Sequence, residues 1–138
     1  MISVYELGRL VEARARDHLA PRVKVFSETP PDEASRGVGY VIIDMDPGRV
    51  RYSRAAGEPE HDGRWQMRVC GSSPSQARNT LDLVRAAFLG WRPFADLRYG
   101  VARETDAGPE IPDTSEPADL RWSYTLTYDI DDGDDYAQ

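Results

Sequence analysis

The side chains best suited to nucleophilic chemistry are Cys70, which is the single cysteine, and two histidines, His18 and His61. Cysteine catalysis needs a thiol and a base that the fold brings together. Here Cys70 lies near the end of a strand-like alternation, His18 near the end of a helical repeat, and His61 in a segment punctuated by glycine and proline. Since no local signature joins them, the pattern favours a packing role for Cys70. One cysteine and two scattered histidines also supply too few clustered ligands for zinc.

The acidic segment 129–135 has some features of a calcium loop. An EF-hand loop needs glycine at its sixth position and glutamate at its twelfth, whereas Gly133 stands fifth and no glutamate follows it. The pattern therefore indicates a solvated acidic tail over residues 131–138. The segment Gly37-Val38-Gly39 lacks the third glycine, the following helix and the lysine of a phosphate loop.

The other candidate acids cluster in turns, where carboxylates are solvated by default. They are Asp44, Asp46, Glu58, Glu60 and Asp62. We therefore expect no catalytic residue, no cofactor and no metal site.

The sequence predicts two helices. Ser3 and Ser73 are each followed three residues later by Glu or Gln, which is the capping-box pattern that begins a helix. Apolar residues then recur every three or four positions, which predicts amphipathic helices at about 4–19 and 74–89. Pro21 and Gly90 mark their ends.

Period-two alternation and β-branched residues predict strands over 22–26, 37–44, 64–70 and 120–130, with a weaker one over 97–103. Residues 50–54 are expected to return as the partner of 37–44 after the Asp46-Pro47-Gly48 turn. Segments 28–36, 55–63 and 104–119 are expected to be loops, and the first two are expected to be ordered only on assembly. In the strand 120–130, one face is apolar and the other is polar.

This order of elements favours an α+β fold, with two helices packed on an antiparallel sheet of about four to five strands. A chain of 138 residues has room for one such domain. We therefore predict a single domain over 1–130 followed by the acidic tail 131–138.

The charge balance excludes several classes of partner. The net charge is −7, and residues 101–138 carry 11 acidic side chains against 2 basic ones. Such a surplus argues against binding nucleic acid through its phosphates. No uncharged stretch is long enough for a signal peptide or a membrane span, so we expect a protein made in the cytoplasm without membrane contact.

The chain resembles the tail-terminator family of long-tailed bacteriophages, particularly those of high-GC actinobacterial hosts. The resemblance covers nearly the whole chain, as a shared pattern more than as invariant residues. It rests on the first helix leading through Pro21 into 22–26, the strand 40–43, the string 65–73 running into the second helix, the exit 90–93 and the closing strand 122–128.

The resemblance implies a structural protein with no enzymatic activity. Its copies would assemble into a ring, generally a hexamer, on the head-proximal end of the tail tube. The ring would halt tube growth and join the tail to a head-side connector or stopper, while DNA passes through without specific binding. The protein would belong to the tail or neck of the virion and assemble in the bacterial cytoplasm.

Since the family has no fixed contact motif, the candidate residues come from composition. Arginine and tryptophan are enriched at interfaces, and acidic side chains repel DNA in a channel. The candidate interface residues are Arg36, Arg54, Arg64, Trp91 and Arg92. The candidate channel-lining or acidic-surface residues are Asp129, Asp131 and Asp132.

Three alternatives stay open. The first is a head-to-tail stopper or adaptor, which also forms rings. The second is a small cytoplasmic binding domain unconnected to phage, and the third is an enzyme that uses Cys70.

Overall fold

The computed structural model describes residues 2–27, 37–47, 50–52, 59–96, 99–113 and 120–130. They form two helices, α1 (Val4–Leu19) and α2 (Pro74–Phe88). The strands are β1 (Val23–Phe26), β2 (Gly39–Asp46), β3 (Val50–Tyr52), β4 (Pro59–His61), β5 (Gly63–Gly71), β6 (Arg103–Ala107), β7 (Ile111–Asp113) and β8 (Arg121–Ile130).

Both helices begin at the predicted serine caps. The Ser3 hydroxyl accepts a hydrogen bond from the amide of Glu6, and the Ser73 hydroxyl accepts one from the amide of Gln76. Each bond satisfies an amide that the first helical turn leaves without a partner. The helix α2 ends at Phe88, and Gly90 follows with φ of +78°, a conformation that glycine adopts without strain.

The main sheet has six strands. Its order is β1-β2-β5-β8-β6, and β7 pairs with β8 alongside β6. All neighbours are antiparallel except β1 and β2, which are parallel. The α+β fold with two helices on a mostly antiparallel sheet is thus confirmed, with one parallel pair and one strand more than expected.

Both helices pack on the same face of the sheet, where the core lies. The strand β5 contributes Trp65, Met67 and Val69, which are all fully buried. The residues that alternate with them, Arg64, Gln66 and Arg68, are exposed. The helices meet this face with the predicted stripes of buried residues: Leu7, Val11, Ala15 and Leu19 on α1; Ala77, Leu81, Val84 and Phe88 on α2.

An aromatic cluster joins the helix layer to the sheet at the centre of this core. Trp65 stacks on Tyr128 with ring centroids 5.5 Å apart, and Phe88 of α2 lies 6.1 Å from Trp65 and 5.9 Å from Tyr128. Trp91 packs edge-on against Phe88 at 5.6 Å and Trp65 at 6.2 Å. Four aromatic rings from two strands, a helix and its exit therefore pack as one unit.

The predicted partner of β2 is wrong. The strand β3 pairs with β4 in a separate two-stranded ribbon, and β2 pairs instead with β1 and β5. The pairing of β2 with β5 places Val41 beside Val69 and Ile43 beside Met67 on the helix-covered face. Burial of these apolar pairs outweighs the short local turn that suggested a hairpin.

The predicted loop over 104–119 is also wrong in its first half, because it contains β6 and β7. The side chains of β6 are mostly exposed and those of β7 wholly so, and they show no apolar alternation. These edge strands pair with β8 through backbone hydrogen bonds, which leave little trace in the sequence. Residues 97 and 98 of the weak strand predicted over 97–103 lie outside the described residues, and the strand β6 begins at Arg103.

Several other predictions fall wholly or partly on undescribed residues. The loop 28–36 and the acidic tail 131–138 lie outside the described residues, as do residues 55–58 of the segment 55–63. The rest of that segment includes β4 and the start of β5. No helix within the described residues combines the length and apolar character needed to cross a membrane.

The aromatic cluster makes Phe88 a sensitive position. We expect Phe88→Ala to lower the free energy of unfolding by about 3–5 kcal/mol, because it removes a ring that contacts three others and leaves a cavity. Chemical denaturation followed by tryptophan fluorescence measures the change. Leu89→Ala is the matched control: Leu89 is 51% exposed, so its truncation should cost under about 0.5 kcal/mol. Equal losses in the two variants would contradict the packing described here.

Candidate interaction surface

The face of the sheet opposite the helices is polar, and none of the described helices or strands packs across it. We call it the polar face. It consists of the residues that alternate with the helix-covered ones along β1, β2, β5, β8, β6 and β7. They include Lys24, Tyr40, Asp44, Asp46, Arg64, Gln66, Arg68, Cys70, Thr125, Thr127, Asp129, Arg103 and Asp106.

Strand register aligns four charged residues in a row across one end of the polar face. Asp46 on β2 lies opposite Arg64 on β5, which lies opposite Asp129 on β8, which lies opposite Arg103 on β6. The signs alternate along the row, so each charge has a neighbour of opposite sign. This arrangement brings two of the predicted site residues, Arg64 and Asp129, into direct contact.

The contact is a two-pronged ion pair. Arg64 Nε donates to Asp129 Oδ1 at 2.9 Å, and a terminal nitrogen of Arg64 lies 3.4 Å from Oδ2. The Asp129 side chain is only 12% exposed, while that of Arg64 is 44% exposed. The hydrogen bond and the charge of Asp129 raise the pKa of Arg64. Asp129 is therefore a paired, largely buried carboxylate and not a free acidic group on the surface.

A second cluster on the polar face is less exposed to solvent. It consists of Tyr40, Cys70 and Arg121. Tyr40 and Cys70 lie opposite each other on neighbouring strands and are 5% and 6% exposed. The guanidinium of Arg121 lies 4.8 Å from the centre of the Tyr40 ring, and Phe26 packs edge-on against the same ring at 5.9 Å. Burial is the largest effect on both groups: it raises the pKa of the Cys70 thiol and raises the pKa of Tyr40 to about 12.

A raised pKa keeps Cys70 protonated near neutral pH, whereas the thiolate is the nucleophile. His18 lies exposed in the last turn of α1, a helix that packs on the opposite face of the sheet. The structure thus separates Cys70 from His18. Within the described ranges, no group of three or more histidine, cysteine, aspartate and glutamate residues could hold a metal ion.

Trp91 lies on the helix side, away from the polar face, and Arg92 follows it in the segment after α2. Trp91 is half-buried in the aromatic cluster, and the Arg14 guanidinium lies 5.8 Å from its ring centre. Arg92 is exposed and donates a hydrogen bond to the carbonyl of Tyr99 at 2.7 Å. Arg64 and Trp91 therefore lie on opposite sides of the sheet. Arg36 and Arg54 lie outside the described residues, as do Asp131 and Asp132.

Sequence reasoning missed the ion pairs that attach the outer strands to α2. Arg85 on α2 makes two hydrogen bonds of 3.0 Å to Glu104 on β6. Arg78 lies 3.3 Å from Glu110, whose carboxylate also accepts a 2.8 Å hydrogen bond from the Tyr124 hydroxyl. A sequence signal is present, because Arg78 and Arg85 stand seven residues apart on one side of a helix, but the prolines of the segment 104–119 favour a loop.

A hollow of about 370 Å³ opens between α1 and the second half of β2. Its walls include Val4, Tyr5 and Gly8 of α1 and Ile43 and Met45 of β2. Tyr5 is 77% exposed beside it. The hollow is open, mostly apolar and placed at the edge of the sheet.

No protein-family model matches the chain, and no curated protein matches it. Among solved structures, one protein of unstated function aligns with 94% of this chain and 96% of its own, at 16% identity and a TM-score of 0.53. This score shows a shared fold. A chain in the virion of a native gene transfer agent particle aligns over 95% of this chain and 92% of its own, at 18% identity and a TM-score of 0.47.

A protein of a contractile injection system gives a weaker alignment. The sheath/tube terminator of an extracellular contractile injection system, PVC, in its extended state aligns with 99% of this chain and 60% of its own, at 14% identity and a TM-score of 0.39. TM-scores below 0.5 do not establish a common fold, so neither of these last two alignments carries an argument about this chain.

The ion pair between Arg64 and Asp129 should contribute measurably to stability. We expect Arg64→Ala to lower the free energy of unfolding by about 1–2 kcal/mol, because a largely buried carboxylate loses its two-pronged partner. Arg68→Ala is the matched control on the same strand. Arg68 lies 3.6 Å from Asp44 with both side chains about half exposed, so its loss should cost under about 0.5 kcal/mol. Urea denaturation of both variants at pH 7 measures these losses. Indistinguishable urea midpoints of the two variants would contradict the prediction.

The raised pKa of Tyr40 predicts a loss of stability in alkali. An unfolded tyrosine ionises near pH 10, whereas folded Tyr40 holds its proton to about pH 12. The stabilising contribution is therefore complete below about pH 10 and is lost as the pH rises through 12. Between these values the native chain should lose on the order of 2 kcal/mol more than Tyr40→Phe.

Thermal denaturation at a series of pH values measures this difference. Tyr5→Phe, which removes the hydroxyl of an exposed tyrosine, should retain the full alkaline loss. A Tyr40→Phe variant that loses stability as steeply as the native chain would overturn the assignment.

Proposed function

We propose that this chain is a tail terminator: a structural protein whose copies close into a ring, generally a hexamer, on the head-proximal end of a phage tail tube. The ring halts growth of the tube and joins the tail to a head-side connector. The protein is a component of the virion and assembles in the bacterial cytoplasm, without a membrane partner and without a catalytic step. The sequence resemblance motivates the proposal.

The polar face is the observation that carries it. The sheet presents a broad surface on which charges are held in fixed positions by their neighbours, as the Arg64–Asp129 pair illustrates. Small-molecule sites are instead concave and apolar, with a few converging polar groups. A broad surface with charges of both signs, already ordered before contact, suits recognition of another protein surface, because ordering costs are small and the charges select the partner.

The chemistry of the described residues supports a role without catalysis. The one cysteine is buried with a raised pKa, and His18 lies on the other side of the sheet. Catalysis by a thiol needs the opposite arrangement, with a lowered pKa and a base within hydrogen-bonding distance.

The charge of the chain suits a conduit for DNA. A net charge of −7 repels phosphates, so DNA passes a ring of such subunits without being held. Because Asp129 is paired with Arg64, the repulsion in the proposed ring comes from the overall surplus of carboxylates more than from this residue.

The test is assembly followed by capping. Purified protein is examined by native mass spectrometry and negative-stain microscopy, and is then added to the tube protein of the same tail while that protein polymerises. We expect a discrete ring, with tubes that shorten as the ring concentration increases and carry the ring at one end. A ring that leaves tube growth unchanged but binds the head connector would identify a stopper or adaptor instead. A chain that stays monomeric with and without tubes would overturn the proposal.

A further inference from the structure

The two borders of the main sheet carry opposite charge. The end of α1 together with β1, residues 14–26, has four basic side chains against one acidic one, and we call it the basic border. The strands β6 and β7 with their connection, residues 103–113, have four acidic side chains against one basic one, and we call them the acidic border. Since β1 and β6 stand at the two ends of the strand order, these borders lie on opposite sides of the sheet.

Part of this charge is available to a partner. Glu104 and Glu110 are bound by the arginines of α2, and Arg16 pairs within its own helix. Arg22 on the basic border and Asp106 on the acidic border are both exposed, and neither has an ion-pair partner among the described residues. Surfaces of opposite charge attract each other and like charges repel, so each border suits the other better than it suits itself.

The borders also share a level of the sheet. One row of paired residues runs from Lys24 on β1 to Ile111 on β7, through Tyr40, Cys70 and Ser123. At this level β1 and β7 are the outermost of the described strands. Two copies placed side by side with their strands aligned therefore bring β7 of one copy beside β1 of the next, without a shift along the strands.

An open hollow lies along the basic border at the level of this row. It has a volume of about 350 Å³ and is lined by Arg16, by Ala20 and Pro21, and by all four residues of β1. On the acidic border, the side chain of Ile111 is 56% exposed. Contact between this side chain and the hollow would remove apolar surface from water on both copies.

We propose that the acidic border of one copy docks on the basic border of the next, with Ile111 against the hollow beside β1 and Arg22 facing the carboxylates of the acidic border. The two surfaces are different, so the contact is head-to-tail, and its repetition around an axis along the strands closes a ring. The polar face of each copy stays uncovered in this arrangement. This inference rests on the proposed ring, and it names the contact that closes it.

Cross-linking between copies tests the contact directly. Both variants carry Cys70→Ser to remove the native thiol. One adds Arg22→Cys and an affinity tag, and the other adds Ile111→Cys without a tag, so residues 22 and 111 cannot be joined within one chain. The two are mixed, assembled and treated with a short bismaleimide. We expect a tagged–untagged dimer joined through these two residues.

Tyr5→Cys replaces Arg22→Cys in the matched control. Tyr5 is 77% exposed, so a thiol there is accessible, but it lies in the first turn of α1, at the other end of the helix from the basic border. We expect no dimer between residues 5 and 111. A ring that forms without the 22–111 cross-link, or that gives both cross-links equally, would overturn the proposed contact and leave the proposed function standing.

Substitutions on the two borders are an independent test. Ile111→Ser removes the apolar contact, and Arg22→Glu places a carboxylate against the acidic border. Each should raise the concentration at which rings dissociate by about tenfold or more. Both side chains are exposed in the single copy, so circular dichroism should show unchanged folding.

Leu89→Ser and Arg9→Glu are the matched controls for these substitutions. Leu89 is 51% exposed after α2, and the side chain of Arg9 is 64% exposed in the half of α1 before the basic border. Both controls should leave the dissociation concentration unchanged. Border variants that dissociate no more readily than the controls would overturn the inference while the ring stands. If a border variant does not fold, the cross-link decides, and a chain that never assembles defeats the proposed function as well.

Discussion

The packing of Trp65 between Tyr128 and Phe88 is the constraint on which the rest of the structure depends. Trp65 lies on β5, which has β2 on one side and β8 on the other. Fixing this ring against the helix layer fixes which residues of β5 face inward. Because side chains alternate along a strand, the register then determines the faces of both neighbouring strands. The residues that alternate with the buried ones on these strands must therefore lie on the polar face.

The helices could be predicted from the sequence because their signals are local. A serine cap, an apolar residue every three or four positions and a terminating glycine or proline all lie within one element. The strand β5 was equally clear, since Trp65, Met67 and Val69 alternate with polar residues. The strand pairing is harder to predict from the sequence. The partner of β2 is β5, about 20 residues away, and burial of apolar side chains decides this pairing. The nearer turn at Pro47 suggests a different partner.

The candidate surface was predictable only in part. The sequence analysis assigns Arg64 to an interface and Asp129 to an acidic surface, whereas their pairing follows from a register that joins residues 65 positions apart. The residue type of Trp91 suggests an interface position, whereas its ring packs into the aromatic cluster. Composition identifies residues that are able to form contacts, but the layer in which each residue lies depends on the assembled sheet.

The two arginines of α2 that reach the outermost strands have a consequence for how the molecule opens. Glu104 and Glu110 attach β6 and the segment before β7 to the helix by charge, while the centre of the sheet is held by buried rings. Dissolved ions weaken charge pairs that are partly open to solvent, as these two are, but leave apolar burial intact. Rising ionic strength should therefore loosen this border of the sheet while the interior stays closed, so that amide exchange at the border and at the centre becomes uncoupled.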